Sequence, residues 1–455
     1  MALLIEDGLV PAPPNLPLAP QDYESRYHEQ LNNVLRLYFN RLDAILRRIV
    51  ATASPVPISI GGTNVDAFGR LRVSQPYTLF DSQNRYAADN QFDVSTTGTG
   101  TTSFLSNEAA VKMEVTGAGV GSVLRQSYRS FPYQPGKGLL VLATFVMDSS
   151  QSLNLTQRVG YYNDQNGVFF QRIDGVYSFV LRSYVTGSVS DARTVNQDDW
   201  NGDKLDGTGA SGYTLDPSKA QILWMDFEWL GVGSVRCGFI INGEYIVCHT
   251  FNNANEITNV YMTTAILPVR YEISTSSALA ASMKAICCSV VSEGGFEQTS
   301  IDHVARRTTI LGTIGTTFLP LVSIRLASGR TGAVVLPNRV QVLPTTSQNY
   351  EVALIKNPTL TGATWAATVP SDSNVEFDVA ATATTGGTIV QSDYLASNTA
   401  GGTSSTSFPN DYNWDLQLGA SIAGVSDIFT VAIRTVSGAT TGDALGSISF
   451  FDLTQ

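Results

Sequence analysis

Apolar side chains recur in steps of three and four through His28, Leu31, Leu35, Tyr38, Leu42, Ile45 and Ile49. Steps averaging about 3.5 residues keep a seam on one side of a slightly underwound helix, where it meets the same seam on a neighbour. The spacing predicts a helix from Gln21 to Val50, with Asp22 as its N-cap and Pro55 and Pro57 enforcing the stop. Leu35, Leu42 and Ile49 take the a positions and Leu31, Tyr38 and Ile45 the d positions, while Val34, Phe39 and Leu46 widen the stripe. Leu at a with Ile at d favours three or four strands over two. These a and d residues are the candidate oligomerisation or anchoring residues. The alternative is an amphipathic helix laid on its own chain's β domain.

Elsewhere the pattern changes to short runs of alternating apolar and polar residues separated by turn residues, the signature of strands. RVGYYNDQNGVFFQRIDGVYSFVLRS predicts a β-meander, with a loop at Asn163–Gly167 and a tight turn at Asp174-Gly175. ILWMDFEWLGVGSVRCGFIINGEYIVCHTF adds an aromatic strand, a glycine break and a hairpin centred on Asn242-Gly243, because a type I′ turn needs positive φ at both central positions. Pairing outward from that turn sets Ile241 opposite Glu244, Phe239 opposite Ile246 and Cys237 opposite Cys248. Near residues 301–309 the composition shifts toward Thr, Ala, Ser and Gly, with Lys356 the one lysine beyond it. A second β domain is expected there, with strands at Leu321–Leu326, Ala333–Leu336, Tyr350–Ile355, Ile428–Ile433 and Ile448–Leu453. The polar stretch Ala380–Ser407 reads as long exposed loops.

The fold class that follows is mainly β: an N-terminal extended arm and one long helix, then two β-sandwich, jelly-roll-like domains. The expected boundaries are 1–58 for the arm and helix, 59–304 for a sandwich whose strand run resembles the concanavalin-like, jelly-roll class, and 305–455 for the second. The arm ends in PAPPNLPLAP, whose five prolines in ten positions make a semi-rigid extended segment. In VDAFGRLRVS, Arg70 and Arg72 share a strand face, read as a charged edge rather than a basic contact for an acidic partner.

Charge narrows the function. The 455-residue chain has a net charge of −11 and only 15% charged residues, which argues against a phosphate-binding, nucleic-acid surface. No run is long enough for a membrane helix, and the MALLIEDGLVPAP start lacks the basic region of a secretory signal, so neither membrane insertion nor Sec-type export is expected. Cys237 and Cys248, paired across the hairpin, are expected to remain thiols if the protein folds in a bacterial cytoplasm, and the adjacent Cys287 and Cys288 face opposite ways, which makes them poor joint metal ligands.

Catalytic patterns are weak. GAGVG at Gly117–Gly121 has serine where a dinucleotide loop needs its third glycine, and PGKG around Lys137 lacks phosphate-loop spacing. HEQLN at His28 lacks the second histidine of a zincin. Cys248 and His249 are strand neighbours facing opposite ways. The acids of NDQNG and of Asp198–Gly209 fit turns better than a Ca²⁺ loop, and Asp226 with Glu228 is a thin case for a glycosidase pair. The expectation is no catalytic residue, no metal and no cofactor.

Taken together, the Pro-rich arm, YHEQLNNVLRLYFNRLDAI, VDAFGRLRVS and the aromatic run from RVGYYNDQNGVFF to GEYIVCHTF resemble a family of tailed-bacteriophage virion structural proteins over most of residues 20–300. The resemblance implies an assembly role without enzymatic residues. The expected protein is a trimeric fibre-like or collar/tail appendage, assembled in the host cytoplasm, anchored by arm and helix, with other virion proteins as partners. The alternatives are a lectin-like module that meets a host surface glycan and a capsid decoration protein.

Overall fold

The computed structural model describes residues 25–52, 75–148, 153–297, 300, 302–367, 373–396, 404–407, 414–438 and 441–454, with side chains left out at 45–52 and 404–407. The chain divides into two compact units, Met1–Val73 and Ser74–Gln455.

In the first unit, Ser25–Thr52 forms the helix α1, about 42 Å long at 1.5 Å per residue. Both proposed ends of this helix, Asp22 and the prolines at 55 and 57, lie outside the described residues, as do the Pro-rich arm and Arg70 and Arg72.

The second unit is mainly β. Its first sandwich uses β1 (Tyr77–Gln83), β2 (Phe92–Gly98), β3 (Gly100–Leu105), β4 (Ala110–Thr116) and β5 (Gly121–Ser127). Next come β6 (Leu139–Val146), β7 (Leu155–Tyr162), β8 (Gly167–Ile173), β9 (Val176–Ser183) and β10 (Ser190–Asn196). It closes with β11 (Gln221–Phe227), β12 (Val235–Ile241), β13 (Glu244–Phe251), β14 (Val269–Thr275) and β15 (Ala280–Ser292). One sheet runs β13-β12-β11-β6-β15-β4-β3, with β1 also on β15, and the other runs β10-β9-β8-β7-β14-β5-β2. Every ladder is antiparallel. Alternation drives the packing: on β6, Leu139, Val141, Ala143 and Phe145 are buried while the residues between them are half-buried.

The second sandwich uses β16 (Asp302–Arg306), β17 (Leu311–Ile314), β18 (Leu319–Leu326), β19 (Val335–Pro344), β20 (Asn349–Lys356), β21 (Thr359–Thr361) and β22 (Ala366–Ala367). The remainder are β23 (Val375–Asp378), β24 (Ala383–Thr385), β25 (Thr388–Ala396), β26 (Ser404–Ser407), β27 (Ile428–Thr435) and β28 (Gly442–Asp452). Here β16-β28-β19-β26, with β17 on β28, faces β22-β23-β18-β27-β20-β25 across a core that includes Leu321, Ile324, Phe429, Val431 and Ile448. A small third sheet pairs β21 with β24.

Three sequence expectations change. The boundary set at 304/305 cuts through β16, which pairs with β28 from Asp302 opposite Phe451 onward, so the second sandwich takes in residue 302. The stretch Ala380–Ser407 contains strands rather than long loops throughout. Its β25, which carries Ile389, Val390, Tyr394 and Leu395 within that polar stretch, adds to β20 through the backbone ladder. Finally, Cys237 lies opposite His249, not Cys248, because a β-bulge inserts Cys248 between the Gly238↔Val247 and Cys237↔His249 pairs.

The turn chemistry matches the sequence. Asn242 and Gly243 have φ of 53° and 84°, and Asp174 and Gly175 have 51° and 87°.

The two sandwiches are spliced at one junction. Trp414, from the second, joins the first core, its ring 6.5 Å from Tyr77 and 4.9 Å from Phe296. Val334 and Leu336 enter the same core. The segment 414–427 then straps onto the first sandwich. Gln417 donates to the Ser130 carbonyl at 2.8 Å, Ala420 N–H to the Tyr128 carbonyl at 2.9 Å, and Ile422 N–H to Asp93 at 2.7 Å.

Candidate functional site

Along α1, Tyr27, Leu31, Val34, Leu35, Tyr38 and Leu42 are half-buried and every other side chain described there is exposed. None is buried. His28, read as part of the seam, is exposed, because the less exposed stripe passes through its neighbour Tyr27. Leu37 and Phe39 are 57% and 59% exposed. The side chains of Ile45 and Ile49 lie outside the described residues.

The motifs weighed for chemistry are taken up by local structure. Gly117 and Gly119 adopt positive φ in the connection from β4 to β5, which carries the chain from one sheet to the other. Asp203 accepts the Leu205 and Ser211 amides at 2.9 and 2.7 Å, and Asp206 accepts Thr208, so these acids fix turns. Among the described residues no group of three or more His, Cys, Asp or Glu side chains is placed to hold a metal. Asp226 pairs with Arg236, and Glu228 accepts from Ser234 at 3.2 Å, so the two acids are engaged separately. His249 is 6% exposed and its Nδ1 accepts the Asn201 amide at 3.3 Å, while His303 stacks on Phe450. Burial pushes the thiols of Cys237 and Cys248 far above their ordinary range, so neither is a thiolate near neutral pH. Cys287 is exposed and Cys288 buried, on opposite faces of β15.

The outer face of the seven-stranded sheet is closed by its own charges. Arg182 and Arg158 lie over Phe169 at 5.1 and 5.5 Å, and Arg270 over Tyr162 at 5.2 Å. Each arginine has an acid: Asp191 for Arg182 at 2.8 Å, Glu272 for Arg158 at 3.4 Å and Asp164 for Arg270 at 2.5 Å. Phe169 also sits opposite Gly160, where a Cβ would come within 2.5 Å of its backbone.

An open cleft of about 810 Å³ lies where the strap meets both sandwiches. Asn90, Gln91, Tyr128 and Arg129 form one wall, and Lys356, Asn357, Thr388 and Val390 the other. Asp427, only 6% exposed, anchors the floor: it accepts Asn357 at 2.7 Å and the Gly419 amide at 3.2 Å, and pairs with Lys356 at 3.2 Å. Arg129 donates to Gln91 and to the Trp414 carbonyl, with Asp415 at 4.0 Å. Burial first, then the carboxylates of Asp93 and Asp427, push the Tyr128 phenol upward, so it stays a neutral donor. These residues come from segments far apart in sequence, and no local motif announces them.

The tryptophans differ in exposure. Trp200, Trp224 and Trp414 are buried, Trp229 is half-buried, and Trp365 lies half-buried under Arg325 at 4.2 Å. The aromatic side chains that stand in solvent include Tyr86, Tyr245 and Tyr394.

No protein-family model matches the chain, and no curated protein matches it. Solved structures similar in fold include the cellulose-induced protein Cip1, 13% identical, covering 46% of this chain and 96% of that one with a TM-score of 0.30. The Emp47p carbohydrate recognition domain is 8% identical over 49% and 98% of the two chains, with a TM-score of 0.31. A protein of unknown function from Shewanella oneidensis MR-1 is 10% identical over 50% and 91%, with a TM-score of 0.32.

Proposed function

We propose that this chain is a structural component of a tailed-phage virion, a trimeric fibre-like or collar/tail appendage anchored by its N-terminal arm and helix, with the two sandwiches projecting. The observation that carries the reading is the apolar stripe Leu31, Val34, Leu35, Tyr38 and Leu42 on α1, with none of these side chains buried within the chain. Burying such a stripe is favourable at about 25 cal/mol per Å², and a heptad with Leu at a and Ile at d buries it in a bundle of like helices. The sandwiches support a structural rather than catalytic role, because Asp203 and Asp206 fix turns, Asp226 and Glu228 are engaged separately, and His249, Cys237 and Cys248 are buried. Partners on this reading are other virion proteins. Among the described residues no helix is long and apolar enough to cross a membrane.

Sedimentation of the full chain tests it. A trimer that the Leu35→Asp, Leu42→Asp double variant converts to monomers is expected, and removal of residues 1–50 should abolish incorporation into particles. A wild-type monomer at micromolar concentration, or normal incorporation of the truncated chain, overturns the reading.

A further inference from the structure

We infer that the cleft between the sandwiches binds a neutral oligosaccharide. The inference stands apart from the oligomeric reading, since α1 contributes nothing to the lining. The charges within the cleft cancel: Arg129 and Lys356 face Asp415 and Asp427, paired at 4.0 and 3.2 Å. A phosphorylated, sulfated or otherwise charged ligand needs a surplus of one sign, which this lining lacks. An apolar ligand, or a peptide anchored by apolar side chains, needs apolar walls, and here Val390 and the Tyr128 ring are the main apolar surfaces.

What the cleft offers is a mixture. Asn90 and Thr388 are exposed at its rim, one an amide that donates and accepts, the other a hydroxyl that does both. Asp415 supplies an acceptor with a side chain 88% exposed, and Lys356 keeps ammonium protons beyond the one directed at Asp427. Sugar hydroxyls also donate and accept at once, and a ring edge of C–H groups suits the Tyr128 ring. Preorganisation completes the site. Asn357 holds a left-handed φ of 55° while bonding both Asp427 and the Ile428 amide, so this wall does not have to be ordered on binding. At about 810 Å³ the space suits a ligand larger than a single small molecule fragment.

The experiment is calorimetric titration of the full chain with maltohexaose, cellohexaose and chitohexaose, against a hyaluronan hexasaccharide, sialyllactose and a mixed peptide library. Two variants are compared: Thr388→Trp, which fills the cleft, and Asn90→Ala, which removes one exposed rim amide and leaves folding contacts untouched. Binding of at least one neutral oligomer, weakened about tenfold or more in both variants with thermal midpoint and sedimentation unchanged, is the expected result. Absence of binding to every neutral oligomer, preference for the charged sugars or for peptides, or equal affinity in Asn90→Ala and the wild type overturns the inference. A monomeric chain that still binds leaves the sugar site standing and removes only the trimer.

Discussion

Trp414 donates its indole N–H to the Tyr77 hydroxyl at 2.9 Å across 337 positions of sequence, and with that bond the last third of the chain is locked into the core of the first sandwich. The pair makes the junction a buried aromatic contact rather than a hinge. Sandwiches that share a core across their junction are expected to unfold together rather than as separate domains.

Replacement of Trp414 by Ala removes a side chain that is 7% exposed and leaves a cavity between Tyr77 and Phe296. The expected cost is about 3–5 kcal/mol. In scanning calorimetry the variant should show two transitions where the wild type shows one, because the sandwiches lose their shared core.

Gly419 is the tight point of the strap. A Cβ there would stand 2.7 Å from the Tyr128 carbonyl oxygen, which is held by the Ala420 amide. Gly419→Val should cost about 1–3 kcal/mol by forcing the strap off the first sandwich. Gly315→Ala, where a Cβ meets nothing within 4 Å, should stay within about 0.5 kcal/mol of the wild type in urea titration.

The hairpin turn isolates backbone strain from packing. Gly243 has φ of 84° and a Cβ there would touch nothing, so Gly243→Val should lose about 1–2 kcal/mol through the left-handed conformation alone. Chemical denaturation should register that loss with an unchanged m-value.

Stability should fall on mild acidification. Burial, with Arg193 nearby, holds His249 down to about 4 from its ordinary 6.5. Between those values the unfolded chain binds more protons than the folded one, so stability declines as the pH drops from 6.5 toward 4, and below that this group adds no further slope. Urea midpoints at several pH values should show this decline in the wild type and a flatter profile in His249→Gln. A second loss follows at lower pH. The hydrogen bond from Arg182 holds Asp191 below its ordinary 3.8, and its contribution, present above that value, disappears as the pH falls through the lower folded-state value.

Much of the fold was legible locally. Asn242-Gly243 and Asp174-Gly175 declared their turns because only certain residues tolerate positive φ, and the aromatic runs around them declared strands because alternation is a local property. The bulge at Cys248 was not legible: a single extra residue leaves the alternating pattern readable in either register, and the backbone bonds that Gly202 and Asp203 donate to Cys248 and Val247 come from a distant loop. The strand β25 was missed because the Thr, Ser, Asn and Gly residues on either side of it outweighed its own Ile389, Val390, Tyr394 and Leu395, and only the ladder with β20 marks these as a strand. The cleft was missed for the same reason at larger scale. Lys356 and Thr388 are paired by the β20–β25 ladder and Tyr128 is brought to them by the strap, and no periodicity records either contact.

Tyr77 stands opposite Ser292, and Asp302 opposite Phe451, so each sandwich starts and finishes at a single place on one of its sheets. A module whose two ends meet can be cut out, transplanted or swapped for another without shifting the polypeptide on either side. By that reasoning the second sandwich is an exchangeable part of this molecule, provided a replacement rebuilds the seats of Trp414, Val334 and Leu336 and the strap's bonds to Ser130, Tyr128 and Asp93.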